Sequence, residues 1–130
     1  MNIVAADIGG TKSWLCLAEI DTVGNQHTLF EKIYPSQNFS DTTHLIEQFL
    51  QDANAQELKI FHMCLALPGV VTEQYASLTN LNWELDSKNL ISKFLIDNVT
   101  FINDFEAAAI GVGTMKREDY IILNIGKSHD

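Results

Sequence analysis

The sequence predicts an α/β domain: a mixed five-stranded sheet with elements in the order βββαβαβα and helices on both faces. Three observations carry this prediction. The first quarter of the chain holds three strand-like segments joined by short turn signals, the pattern of an antiparallel meander. The remainder alternates apolar strands with segments of helical periodicity, which builds parallel sheet. The composition is that of a folded domain, with 130 residues, 46% hydrophobic and 19% charged, close to the roughly 100–150 residues usual for a single core.

Residues 3–8 and 13–20 read as strands separated by Gly9-Gly10-Thr11-Lys12, a tight turn suited to an antiparallel pair. Residues 26–34 form a third strand after the turn signal Gly24-Asn25. Leu45, Ile46, Phe49, Leu50 and Ala53 then recur at helical spacing, with Ser40 or Asp41 placed to cap the helix. Residues 59–67 are a strand whose apolar second half suits burial on both faces, and Pro68-Gly69 ends it. A polar connection with Thr79, Asn80, Asn82 and Trp83 leads to a second helix bearing Leu90, Ile91, Phe94 and Leu95 on one face. Residues 99–102 form a short strand running into an Ala-rich helix over 104–112, and 120–125 reads as a last strand or a connection. No linker, repeat or low-complexity stretch divides the chain.

Charge narrows the function. Seventeen acidic against eight basic residues give a formal charge of −9, which disfavours nucleic acid and anionic membrane surfaces as partners. A phosphate ligand would therefore need backbone N–H groups or a cation to hold it. No apolar run reaches the roughly 18 residues of a membrane span. The segment before Asp7 has no basic region of the kind a signal peptide carries. Cys16 and Cys64 sit far apart in strand-like segments, consistent with buried free thiols in a cytoplasmic protein. The four histidines show no metal-ligand spacing.

Two local patterns suggest chemistry. Alternation puts Asp7 on the same strand face as Ile3 and Ala5. A carboxylate there is expected to lose solvation, at several kcal/mol, unless it is paired or metal-bound. Gly9 and Gly10 follow at once and allow close backbone approach to a ligand. Thr11 adds a hydroxyl and Lys12 a positive charge, and consecutive N–H groups in such a turn form an anion-binding concavity. An ordinary hairpin turn with a solvated Asp is the plainer reading. The segment is neither a Walker A loop nor a dinucleotide fingerprint.

Asn103-Asp104 is the second pattern, delivered by a strand just where a helix begins. Both are favoured N-caps, yet one cap suffices and two such residues are supplied. If the strands carrying Asp7 and Asn103 are parallel neighbours, both carboxylates open onto one crevice at the strands' carboxyl ends. Two acids, a glycine turn and a helix start suggest phosphoryl transfer assisted by Mg²⁺, which takes one or two carboxylates and keeps several waters. Asp104 would then accept the proton of a substrate hydroxyl. Negative charge is favoured at a helix start, so orienting the hydroxyl would be its main work. Asn103, Asn80 and Thr79 offer neutral groups suited to sugar hydroxyls, although the 79–83 connection also reads as a plain loop with Trp83 in the core.

These segments together resemble the bacterial glucokinase family of the hexokinase/actin-like ATPase superfamily. Val4-Ala5-Ala6-Asp7-Ile8-Gly9-Gly10-Thr11-Lys12 is similar to its first phosphate motif, and Leu65-Ala66-Leu67-Pro68-Gly69-Val70-Val71 to the strand and turn that follow. Thr79-Asn80-Leu81-Asn82-Trp83 resembles its Thr-Asn-x-x-Trp segment, and Phe101-Ile102-Asn103-Asp104-Phe105-Glu106-Ala107 the segment with its catalytic base. The resemblance implies a ribonuclease-H-like (actin-like ATPase) fold and ATP-dependent phosphorylation of glucose. Asp104 would be the general base for the 6-hydroxyl and Asn103 a ligand of neighbouring hydroxyls. Asp7 would organise Mg²⁺ through water, and Gly9, Gly10 and Thr11 would face the ATP phosphates. Trp14 departs from the Arg that many relatives carry after the turn. The resemblance further implies that 1–130 is the amino-terminal lobe of a two-lobed enzyme, inert alone, whose carboxy-terminal lobe completes both substrate sites. A homodimer is compatible with it. The alternatives are a related hexose or N-acetylhexosamine kinase and a non-catalytic sugar-binding or regulatory module.

Overall fold

The computed structural model describes residues 1–114, so the segment 120–125 lies outside the described residues. The chain opens with β1 (Asn2–Ile8), β2 (Lys12–Ile20) and β3 (Gln26–Pro35), followed by a short 3-10 turn (Ser36–Asn38) and α1 (Thr42–Asp52). Next come β4 (His62–Leu67), β5 (Val70–Val71), β6 (Tyr75–Leu78) and β7 (Trp83–Asp86). α2 (Ser87–Phe94), β8 (Asn98–Asn103) and α3 (Asp104–Thr114) complete the described residues. No helix among them is long and apolar enough to cross a membrane.

Five strands form one mixed sheet in the order β3-β2-β1-β4-β8. The first three are antiparallel, whereas β1–β4 and β4–β8 are parallel. Strand alternation sorts its two faces. Val4, Ala6 and Ile8 of β1 point into the core with Leu15, Leu17, Met63, Leu65 and Leu67. α1 covers this face with Leu45, Ile46, Phe49 and Leu50, all buried. Each such side chain contributes roughly 1.5–3 kcal/mol by leaving water, so packing rather than intrinsic propensity holds an 11-residue helix. Asp41 caps α1, its carboxylate accepting from the His44 N–H at 2.9 Å. α3 lies over the opposite face at β4 and β8. Burial, then the charge of Glu106, push the Cys64 thiol above its usual range. Both cysteines are free.

A second sheet, β5-β6-β7, replaces the connection that the sequence predicts between 70 and 86. Its strands are two to four residues long, too short for alternation to register as a pattern. Even so, Ala76, Leu78, Trp83 and Leu85 bury one face of it in the common core. Gly69 makes the entry possible: its φ is +147°, and a Cβ there would lie 2.3 Å from the Ser77 carbonyl oxygen.

α3 leaves the outer face of β1 and β2 open. Asp7 is exposed, as are Trp14 and Ile33 beside it, at 43% and 59%. The desolvation expected of Asp7 is therefore not found in this chain.

Candidate active site

The β1–β2 turn is braced from beneath. The Gly9 N–H donates to the Lys12 carbonyl at 2.9 Å, and a Cβ on Gly9 would stand 2.7 Å from that oxygen, so the bend admits only glycine. The Ser36 hydroxyl donates to the Gly9 carbonyl at 2.6 Å, and the Ser13 and Ser36 hydroxyls share a 2.8 Å hydrogen bond. The Ser36 N–H donates to the Thr11 carbonyl at 3.0 Å. Both serines are fully buried.

This bracing orients the turn. In a trans peptide the C=O and the following N–H point opposite ways. With the Gly9 carbonyl held down by Ser36, the Gly10 N–H points away from the core. Among the described residues neither the Gly10 nor the Thr11 N–H has a protein acceptor. The result is a pair of free donors beside an exposed Thr11, an exposed Lys12 and an exposed Asp7, the makings of an anion-binding nest. Nothing in the local sequence signals the two serines, which come from segments 23 residues apart.

The second corner is at the end of β8. Asn103 is its last residue and Asp104 opens α3. The Phe105 N–H donates to Asn103 Oδ1 and to Asp104 Oδ1, each at 2.9 Å, so both residues contribute to the cap. Asn103 Nδ2 also reaches toward the Gly69 carbonyl at 3.4 Å. Asp104 is half-buried, and its second oxygen has no hydrogen-bond partner among the described residues. Asn103 and Glu106 line an open cavity of about 520 Å³ between the small sheet and β8.

Register brings the two corners to one edge. Asp7 pairs with Ala66 of β4, and Ala66 with Ile102 of β8, directly before Asn103. The strands carrying Asp7 and Asn103 are therefore parallel but not neighbours: β4 runs between them. At a strand spacing of about 4.8 Å their backbones are roughly 10 Å apart. Both open at the carboxyl ends of the parallel strands, where open α/β sheets bind ligands. Thr79 and Asn80 occupy the exposed turn of the β6–β7 hairpin. Asn80 packs over the β1–β2 turn, its Cβ and Nδ2 at 3.4 and 3.5 Å from where a Cβ on Gly10 would be. Trp83 is a core residue.

A sequence profile of the family described as Glucokinase matches residues 4–130. The chain belongs to the glucokinase family. It is 37% identical to a glucokinase of a Nostoc species over 125 residues, covering 96% of this chain and 36% of that protein. A Synechocystis glucokinase is 35% identical, with 95% and 37% covered. This member thus spans little more than a third of the length of the relatives it matches. Among solved structures, a glucokinase from an Antarctic psychrotroph superposes with a TM-score of 0.80 at 24% identity, covering 99% of this chain and 40% of its own. A glucokinase from Balamuthia mandrillaris in complex with glucose gives 0.65 at 24% identity, with 91% and 33% covered. The fold these glucokinase structures share is the actin-like ATPase fold.

Proposed function

We propose that this chain is the amino-terminal lobe of a two-lobed, cytoplasmic glucokinase that transfers the terminal phosphoryl group of ATP to the 6-hydroxyl of glucose. The observation that carries this reading is the shared edge: a turn with free N–H donors stands two strands from an aspartate with a free carboxylate oxygen. Family membership supports the substrates.

In this reading the Gly10 and Thr11 N–H groups and Lys12 hold the ATP phosphates. Asn103 and Thr79 bind sugar hydroxyls, and so, on the expectation from sequence, does Asn80. Asp104 accepts a hydrogen bond from the 6-hydroxyl and takes its proton as the oxygen bonds to the phosphorus and the bond to the ADP oxygen breaks. Asp7 fits Mg²⁺ in one respect, being an exposed carboxylate beside the turn. Among the described residues no group of three or more His, Cys, Asp or Glu side chains is placed to enclose a metal. Asp7 would then hold the ion together with water and the phosphates, and the ion would supply charge neutralisation there.

A coupled assay on the complete protein tests the reading. Wild type is expected to phosphorylate glucose, and Asp104→Ala to lose about 10²–10⁴-fold in turnover, the range for removing a general base, with its circular dichroism unchanged. Full activity in that variant would remove Asp104 from the chemistry. Residues 1–130 alone are expected to be nearly inert, because this catalysis is mostly positioning between lobes.

A further inference from the structure

We propose that Asn80 belongs to the phosphate side of the site: its side-chain amide donates a hydrogen bond to the phosphoryl group seated on the β1–β2 turn. The inference rests on the phosphate-binding reading of that turn and changes the ligand assigned to Asn80.

Asn80 lies in the tight turn joining β6 to β7, whose strands pair Leu78 with Trp83. Trp83 and Leu78 are buried in the common core, so the hairpin is anchored at its base and its turn is presented at a fixed height. That turn overhangs Gly10. A methyl on Gly10 would already be in van der Waals contact with Asn80, at 3.4 Å from its Cβ and 3.5 Å from Nδ2. The Asn80 amide and the backbone of the turn are thus direct neighbours. The turn presents the Gly10 N–H, which points out of the fold because Ser36 holds the Gly9 carbonyl beneath. Beside it stands the Asn80 amide, which is exposed and makes no side-chain hydrogen bond among the described residues.

A phosphate at this turn needs neutral donors more than a sugar hydroxyl does. A phosphate brought to this turn meets Asp7 close by and a chain of net charge −9. Neutral donors on two sides stabilise an anion there, and hydrogen bonds to a charged group are the stronger kind. Asn103 lies on β8 and reaches the Gly69 carbonyl, which stands at the β5 edge of the small sheet. The two asparagines, alike in sequence as sugar ligands, therefore meet the small sheet at the same end but at different places, Asn103 beside β5 and Asn80 in the β6–β7 turn over Gly10.

The test is steady-state kinetics of the complete enzyme, varying MgATP at saturating glucose and glucose at saturating MgATP. Asn80→Ala is expected to raise KM for MgATP or lower kcat by about 10–100-fold, the worth of one hydrogen bond to a charged partner, with KM for glucose unchanged. Asn80→Asp, nearly isosteric but negative, is expected to be worse than Asn80→Ala. Equal thermal melts for the three proteins would exclude misfolding. A rise in KM for glucose with MgATP unaffected would return Asn80 to the sugar and overturn the proposal, as would no change in either.

Titrating inorganic tripolyphosphate without sugar separates this inference from the function it rests on. Binding to wild type that weakens in Asn80→Ala upholds the contact even if glucose is not the acceptor. Equal binding to both overturns the contact alone, and no binding to wild type overturns the phosphate turn and the contact together.

Discussion

The two corners of the candidate site are built differently. The β1–β2 turn is locked from within: two fully buried serines and a glycine that no other residue can replace fix its carbonyls. The Asn103-Asp104 corner is held by one shared N–H and a long contact to Gly69, and it opens a helix whose Phe105 is 81% exposed. The first corner is thus rigid on its own contacts, and the second is held loosely. A nest of backbone donors needs only its own fold beneath it, whereas a sugar pocket needs walls on several sides.

Stability measurements can break that contrast. Gly9→Ala forces a Cβ against the Lys12 carbonyl at 2.7 Å and is expected to cost about 1–3 kcal/mol, as overpacking does. Ser36→Ala strips the buried Ser13 hydroxyl and the Gly9 carbonyl of their partner, at about 1–3 kcal/mol. Asn103→Ala removes one of two cap acceptors and is expected to cost about 1 kcal/mol or less. Urea unfolding of the three variants beside wild type gives the order, and an Asn103 effect larger than that of Ser36 would invert the comparison.

The open outer face gives a smaller effect. Trp14 and Ile33 sit side by side across β2 and β3, both largely exposed. Trp14→Ser is expected to change the stability of this chain by less than about 0.5 kcal/mol, the usual range for surface substitutions. A larger loss would mean that the face is packed.

Much of this was legible in the residues themselves. Alternation in β1 grouped Ile3, Ala5 and Asp7 on one face, the Asp41 cap was correctly among the candidates, and the diglycine marked the turn. What escaped is long-range or short-stranded. Ser13 and Ser36 are ordinary serines until β3 brings them together. β5 to β7 are each too brief to show a period. The insertion of β4 between β1 and β8 is topology, invisible in either strand. Asp7 read as a desolvated acid because its strand is apolar, but Ile3, Ala5 and Asp7 share the face opposite the buried Val4, Ala6 and Ile8, and Asp7 stands in water there.

The smallest expected effect lies away from the site, where β3 is tied to α1. Hydrogen bonds from Lys32, then Tyr34 and Gln48, lower the Asp52 carboxyl to about 2. Its folded value is below the unfolded value of about 3.9. The tie therefore contributes fully above that unfolded value and is lost as pH falls from about 4 through about 2. Melting temperature against pH is expected to drop over that window in wild type and to drop less in Asp52→Asn. Identical profiles would remove Asp52 from the acid response.

Most direct for the shared edge is a crystal structure of the complete protein with glucose and a non-hydrolysable ATP analogue. The glucose 6-hydroxyl is expected within hydrogen-bond reach of Asp104, about 2.6–3.2 Å. The terminal phosphate would lie on the Gly10 and Thr11 N–H groups, across β4 from it. Glucose seated away from Asp104, or phosphates that avoid the diglycine turn, would contradict the shared edge.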